Sequence, residues 1–304
     1  MSKSTISTFQ LFAMFPDQET ARIYLESRLW PKGPRCPVCA ASERITARAG
    51  GYYRCNACKE DFTVRTGTIF ERSHVPLHKW VYAMYLLVTA RKGISSLQLA
   101  KEIGITQKSA WFLLQRLREA CGDELDKLRG IIEIDETYIG GKEKNKHKSE
   151  RKHLGTGGVG KIAVLGMRER GGRTKATPVS GTDAKTLRAE IDANVEIGST
   201  LHTDEWVGYN GLSPDYVHEK ILHSAGEYAR EGVTTNGIES VWAVMKRGLH
   251  GVYHHASEKH LHRYVDEFAF RLNEGNVKRH TLDRLDSFVS NVAGKRLTYK
   301  ALIA

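Results

Sequence analysis

The sequence predicts an α/β fold: a mixed sheet covered by helices, preceded by a small cysteine-bearing ribbon and a helical region. Three observations predict it. The early cysteines fall in two Cys-x-x-Cys pairs, Cys36/Cys39 and Cys55/Cys58, with fifteen residues between them. Residues 76–118 carry apolar positions at helical spacing, punctuated by Gly93 and Gly104. From Gly130 onward, apolar strand-like runs come first and then alternate with helical patterns, the order expected of a mixed sheet with helices packed on it. These changes divide the chain into 1–70 (N-terminal helix and ribbon), 71–128 (helical region), 129–280 (α/β unit) and 281–304 (C-terminal tail).

The bulk properties bound the possibilities. With 304 residues and 40% apolar content, the chain can bury a sizeable core. The formal net charge of +11 attracts polyanions, and nucleic acid is the commonest one in a cell. No apolar run approaches the roughly 18 residues of a membrane span, so no membrane partner is expected. The longest run, Trp80 to Ala90, is flanked by His78, Lys79, Arg91 and Lys92. Residues 1–15 lack a basic start followed by a long apolar core, so no secretory leader is expected. Four of five cysteines sit in close pairs, which suits a cytoplasmic metal-binding chain better than a disulfide scaffold.

Taken in order, Asp17 to Arg28 reads as a helix, with Ala21, Tyr24, Leu25 and Leu29 on one face and Pro31 and Pro34 beyond its end. Each Cys-x-x-Cys places two thiolates on a tight knuckle. Two knuckles make a tetrahedral sulfur cage, so Cys36, Cys39, Cys55 and Cys58 are expected to hold one structural Zn²⁺. The stretch around Tyr52 and Tyr53 suits a β-ribbon. Such a ribbon can bind DNA, bind protein or only stabilise a small fold, and sequence does not separate these. Cys121 reads as a small core residue.

Pro76 opens an apolar helix that Gly93 ends. Ser96 to Ile103, the Gly104 turn and a helix capped by Thr106 then have helix-turn-helix grammar. Ala100 and Ile105 are expected between the two helices. Gln107, Lys108 and Ser109 would lead the recognition helix, where base contacts are made, and Arg116 could meet a phosphate. The plain alternative is a helical pair that serves as core.

Ile131 to Gly140 reads as a strand. On a period of two, Glu133, Asp135 and Thr137 share one face, while Ile132, Ile134 and Tyr138 share the other. Glu136 therefore points away from Asp135, and Asp135 or Glu133 is the ligand candidate. A charged loop follows, with Lys142, Lys144, Lys146 and Lys148. It is either a solvated segment or a clamp on a nucleic-acid backbone. Lys161 to Met167, Lys175 to Val179, Thr200 to Thr203 and Val217 to Leu222 read as strands. Asp183 to Val195 and Asn236 to Leu249 read as helices, the second with Ile238, Val241, Trp242, Met245 and Leu249 inward.

Asp135 and Asp204 on strands and Glu239 on a helix can converge on two divalent ions. Oxygen ligands suit Mg²⁺ or Mn²⁺ better than zinc. In a basic chain this points to metal-assisted phosphodiester chemistry on nucleic acid. The competing reading is that three of 35 acidic residues serve as caps or surface charges. Lys246 and Arg247 could meet the DNA backbone or simply complement a helix C-terminus. His202, His223, His254, His255, His260 and His262 lack a clean ligand spacing and read as structural or phosphate-contacting.

Three blocks carry a resemblance: Ile132-Glu-Ile-Asp135-Glu-Thr-Tyr-Ile-Gly-Gly-Lys142, Leu201-His-Thr-Asp204-Glu-Trp-Val-Gly-Tyr209 and Thr235-Asn-Gly-Ile-Glu239-Ser-Val-Trp-Ala-Val-Met-Lys-Arg247. Together they resemble the catalytic blocks of DDE transposases, more narrowly the zinc-ribbon-bearing bacterial insertion-sequence group. The ribbon, the Trp80 to Arg118 region and the segment from Gly251 to Asn273 resemble that group as well. Thr234 departs from a His expected in many relatives, and Leu272 and Glu274 depart from the usual Tyr and Arg around Asn273. The resemblance implies an RNase H-like catalytic domain with Asp135, Asp204 and Glu239 as ligands of two Mg²⁺ or Mn²⁺ ions. It also implies a homo-oligomer on DNA that cleaves at transposon ends to free a 3′-hydroxyl, which then attacks target DNA. The alternatives are a non-transposing metal-dependent nuclease or resolvase, and a zinc-ribbon DNA-binding regulator without catalysis.

Overall fold

A computed structural model describes residues 5–122, 126–141, 143–151, 158–212, 214–227, 229–275 and 278–304. Lys142 and the side chain of Lys144, both candidate DNA contacts, lie outside the described residues. The chain forms two compact units, one from 1–123 and 274–304, the other from 124–273.

The first unit begins with α1 (Thr8–Met14), a helix that periodicity alone did not reveal. Ser7 and Gln10 close a capping box on its first turn. Helix α2 (Gln18–Leu29) starts where Asp17 accepts the Thr20 N–H at 2.8 Å. Strands β1 (Ile45–Arg48), β2 (Tyr52–Cys55) and β3 (Asp61–Phe62) form an antiparallel ribbon. Helix α3 (Leu77–Thr89) is buried almost all round and stops at Ala90, three residues before the expected Gly93. Helix α4 (Ser96–Ile103) ends on Gly104 in the left-handed conformation (φ 63°), which glycine adopts freely. Helix α5 (Gln107–Cys121) begins where Thr106 accepts the Ser109 N–H at 3.2 Å. The helix-turn-helix grammar is therefore realised cap for cap. Cys121 is buried in this unit.

The second unit is a five-stranded mixed sheet. Its strands are β4 (Ile131–Ile139), β5 (Ile162–Glu169), β6 (Thr174–Val179), β7 (Thr200–Thr203) and β8 (Val217–Lys220), in the order β6-β5-β4-β7-β8. The β4–β5 and β5–β6 pairs are antiparallel, while β4–β7 and β7–β8 are parallel. This is the mixed-sheet, RNase H-like arrangement. Pro178 is tolerated because β6 is an edge strand. Helix α6 (Ala184–Asn194) covers one face, with Leu187 and Ile191 packed among Ile132, Ile134, Leu165 and Leu201. Helices α7 (Asn236–Gly248) and α8 (Glu258–Asn273) cover the other, where Ile238, Trp242, Val265 and Phe268 meet Val164. Between them Leu249–Tyr253 forms a π-helical turn. Asn273 completes the unit by donating to and accepting from the Thr174 backbone, at 2.9 and 2.8 Å.

Beyond Asn273 the chain returns to the first unit. The stretch set apart as a C-terminal tail holds α9 (Thr281–Ser290) and α10 (Tyr299–Ile303). Asp286 accepts from Tyr24 and Arg28 of α2 at 2.6 and 2.8 Å, and Ile69 N–H donates to Val292 at 3.2 Å.

Candidate active site and metal centres

Parallel pairing of β4 with β7 sets the candidate catalytic centre. Its last registered pair is Glu133 with His202, and two residues further along lie Asp135 and Asp204. The two carboxylates therefore leave adjacent strands at one level. Asp204 sits just past β7, where its Oδ1 accepts the Trp206 N–H at 3.0 Å. Helix α7 brings Glu239 in its first turn, and Glu239 Oε1 accepts the Thr235 hydroxyl at 3.0 Å. His223 Nε2 lies 3.8 Å from the same oxygen.

The sequence left Asp135 and Glu133 as alternatives, and their surroundings distinguish them. Glu133 is buried, accepts the Ile238 N–H at 3.0 Å and lies 3.3 Å from Arg170. Thr235 gives α7 no side-chain cap, so Glu133 caps the helix from another element. A β-carbon on Gly237 would lie 2.4 Å from Glu133 Oε2, so glycine clears the space for that cap. Arg170 and the Thr234 N–H both reach His202 Nδ1, at 3.1 and 3.3 Å. Burial, then the Arg170 charge, holds the His202 pKa below the ordinary imidazole value, so the neutral ring accepts both. His202 is thus a structural group.

Asp135 is held differently. Trp242 Nε1 donates to its Oδ2 at 2.9 Å. Burial raises the Asp135 pKa to about 6, the indole bond opposes this, and the charges of Asp204 and Glu239 raise it further. Glu136 faces the α6 side, as alternation expected, and accepts a short hydrogen bond from the buried Tyr209 hydroxyl. Its pKa is raised to about 7 by burial first, with Asp135 and Asp204 also contributing. These carboxylates repel one another's charge, and a divalent cation would relieve that repulsion. The all-oxygen donor set fits a hard ion such as Mg²⁺ or Mn²⁺.

In the ribbon, Cys36, Cys39, Cys55 and Cys58 bring their sulfurs within 4.8 Å of one another. Among the described residues they are the one group of His, Cys, Asp or Glu ligands that closes this far, so the three carboxylates stand further apart and no histidine cluster forms. Backbone amides of Cys58 and Ala57 lower the Cys55 pKa to about 6, which favours a thiolate. The rings of Trp30, Tyr53 and Phe62 pack beside the cage, with centroids 5.4–5.7 Å apart. The donor set fits Zn²⁺.

The DNA-contact candidates separate by exposure. Gln107, Lys108 and Ser109 are exposed on the leading turn of α5, with Gln107 bonded to Ser96 and Lys108 over the Tyr299 ring. Arg116 corrects the sequence reading. It is 6% exposed and donates to the Leu297, Ile69 and Glu71 carbonyls, so its guanidinium ties loops inside the unit and does not reach a phosphate. Lys146 pairs with Glu143, whereas Lys148 is exposed. On α7, Lys246 is half-buried and Arg247 exposed. Among the described residues no helix is long and apolar enough to cross a membrane.

Sequence reasoning had taken Trp242 as plain core, and it overlooked the Glu133 cap and the Tyr209–Glu136 bond. Two signals pointed the right way: a buried indole needs an acceptor, and Gly166 interrupts an apolar strand.

A family model of the ISXO2-like transposase domain matches residues 127–273, and one of the transposase zinc-ribbon domain matches residues 16–61. A Halobacterium salinarum protein of the transposable element ISH50 is 30% identical over 273 residues, covering 84% of this chain and 91% of that relative. A ribbon and a mixed-sheet domain in this order, matched along most of the length of a transposable-element protein, show that the chain belongs to the zinc-ribbon-bearing, ISXO2-like DDE transposase family.

Proposed function

We propose that this transposase cleaves DNA at the ends of its element and joins the freed 3′-hydroxyls to target DNA, with Asp135, Asp204 and Glu239 holding two divalent ions. The observation that carries the reading is the β4–β7 register, which brings Asp135 and Asp204 level while Glu133 is committed to capping α7. Bound there, Mg²⁺ or Mn²⁺ would stabilise charge on the attacking and leaving oxygens of the phosphodiester. The chain's own part is to hold the three carboxylates on packed elements, so that little reorganisation accompanies reaction. Gln107, Lys108 and Ser109 present a polar, basic tip suited to the major groove, and the exposed cations of Lys148 and Arg247 would meet backbone phosphates. Cys36, Cys39, Cys55 and Cys58 hold one structural zinc. Joining two element ends calls for more than one copy on the DNA.

The test uses purified protein, Mg²⁺ and labelled element ends. Wild type is expected to give 3′-end cleavage and strand-transfer products, and Asp204→Asn neither. Full cleavage by Asp204→Asn would overturn the ligand assignment. Cleavage without strand transfer would identify a nuclease.

A further inference from the structure

We propose that Trp242 is the positioning residue for Asp135, and that the glycine at position 166 exists to admit its ring. This rests on the reading above that Asp135 is a metal-holding carboxylate. The indole N–H has one hydrogen to donate, and it goes to Asp135 Oδ2 at 2.9 Å. Gly166 is the residue directly opposite Asp135 in the β4–β5 ladder. A β-carbon there would lie 2.4 Å from Trp242 Cη2 and 2.5 Å from Cζ2, contacts that a rigid ring cannot yield to without moving, and 2.8 Å from Cδ1 of Ile238 on the same helix. The one residue type that lets the indole lie across β5 therefore stands on the rung that carries the carboxylate.

The neighbouring rung on that face grips the same helix. Glu133 pairs with Arg168 across the ladder. Glu133 accepts from Ile238 N–H, while Arg168 donates to the Gly237 carbonyl at 2.8 Å and the Ser240 hydroxyl at 3.1 Å. One rung thus fixes the first turn of α7, and the next receives Trp242 from its second. Glu239 rides on that first turn. The placement of Glu239 and the orientation of Asp135 are therefore set by one docking event. A ring that only filled volume would account for its burial, but not for a donor aimed at a carboxylate or for the glycine opposite.

The experiment measures Mn²⁺ binding to the full-length chain by calorimetry, alongside thermal denaturation and the Mg²⁺ dependence of end cleavage. Trp242→Phe keeps an aromatic ring and removes the N–H. It is expected to weaken Mn²⁺ binding roughly 10–100-fold, the usual effect of losing a group that orients a ligand, and to raise the Mg²⁺ needed for cleavage while the protein stays folded. Gly166→Ala, with the tryptophan intact, should shift Mn²⁺ binding the same way by displacing the ring. Phe lacks the two indole atoms that clash, while the contact with Ile238 Cδ1 remains, so in the double variant the two losses of Mn²⁺ binding should add to less than their sum. Wild-type Mn²⁺ affinity and Mg²⁺ dependence in Trp242→Phe would overturn the proposal. If that variant does not fold, wild-type behaviour of Gly166→Ala does so instead. Asp135→Asn separates the two claims. Undiminished Mn²⁺ binding in it refutes the metal-site reading, whereas lost binding there beside an unaffected Trp242→Phe refutes only the positioning role.

Discussion

Glu133 and Asp135 lie two residues apart on one strand face and carry the same functional group, yet their substitution should have opposite consequences. Glu133 satisfies a helix N-terminus and a cation. Removing it as Glu133→Ala is expected to destabilise the second unit by about 2–3 kcal/mol, below the range for a fully buried pair because Arg170 is partly solvated. Asp135 is half-buried, with the charges of Asp204 and Glu239 nearby, and its pKa is raised to about 6. A carboxyl with a raised folded pKa loses stability as pH climbs from its unfolded value of 3.8 through about 6. Asp135→Asn should therefore leave the metal-free protein as stable as wild type, or more stable, at pH 8, while abolishing cleavage. Urea denaturation of both variants at that pH checks the pair; a large loss of stability in Asp135→Asn would contradict this account. Arg116 makes the same point in the first unit. Arg116→Ala should cost about 2–4 kcal/mol by leaving buried carbonyls without donors, and the salt dependence of DNA binding should not change.

At the level of elements, local rules read the chain well wherever an element carries its own instructions. Gly104 and Thr106 bound the turn of the helix-turn-helix, Asp183 caps α6, and β7 spans Thr200–Thr203, the residues read as a strand. Helix α7 is legible in its apolar stripe, but not in its start. Its cap is Glu133, 105 residues away in sequence, and no local pattern encodes such a contact. The candidate site divides likewise. Alternation separated Asp135 from Glu136 and the resemblance singled out Asp135 over Glu133, whereas the use of Glu133 on the Ile238 N–H is visible only in the packed helix. Gly237→Ala tests this view of α7. The added methyl would crowd Glu133 from its cap and should cost about 1–2 kcal/mol, although alanine is the better helix former. A stabilised Gly237→Ala protein would show that the cap contributes nothing. In the ribbon, freshly purified reduced protein should contain about one zinc per chain, and Cys39→Ser should lose it.

At the scale of the whole molecule, the order of modules was legible because each has its own composition: paired cysteines, helical stripes, then strands. The destination of residues 281–304 was not. An amphipathic helix such as α9 announces that it packs, but not on what, and its partners α2 and α3 lie more than two hundred positions earlier. Two compact units also predict divided melting. In buffer free of Mg²⁺ and Mn²⁺, adding a strong chelator should lower one calorimetric transition, belonging to the ribbon-bearing unit, and leave the transition of the sheet in place.

The return of the chain after Asn273 has a consequence for how the protein is made. The sheet-bearing unit is contiguous, so it can fold while synthesis continues. The first unit, though translated earlier, lacks Asp286, Val292 and Leu297 until the last residues emerge. Translation thus runs in one order and completion in the other, and the helices closest to the start wait longest for their partners. A premature stop after position 280 would spare the sheet that carries the candidate catalytic carboxylates but leave the helices that carry the candidate DNA contacts unfinished, and proteolysis of such a truncated chain should trim its N-terminal portion first.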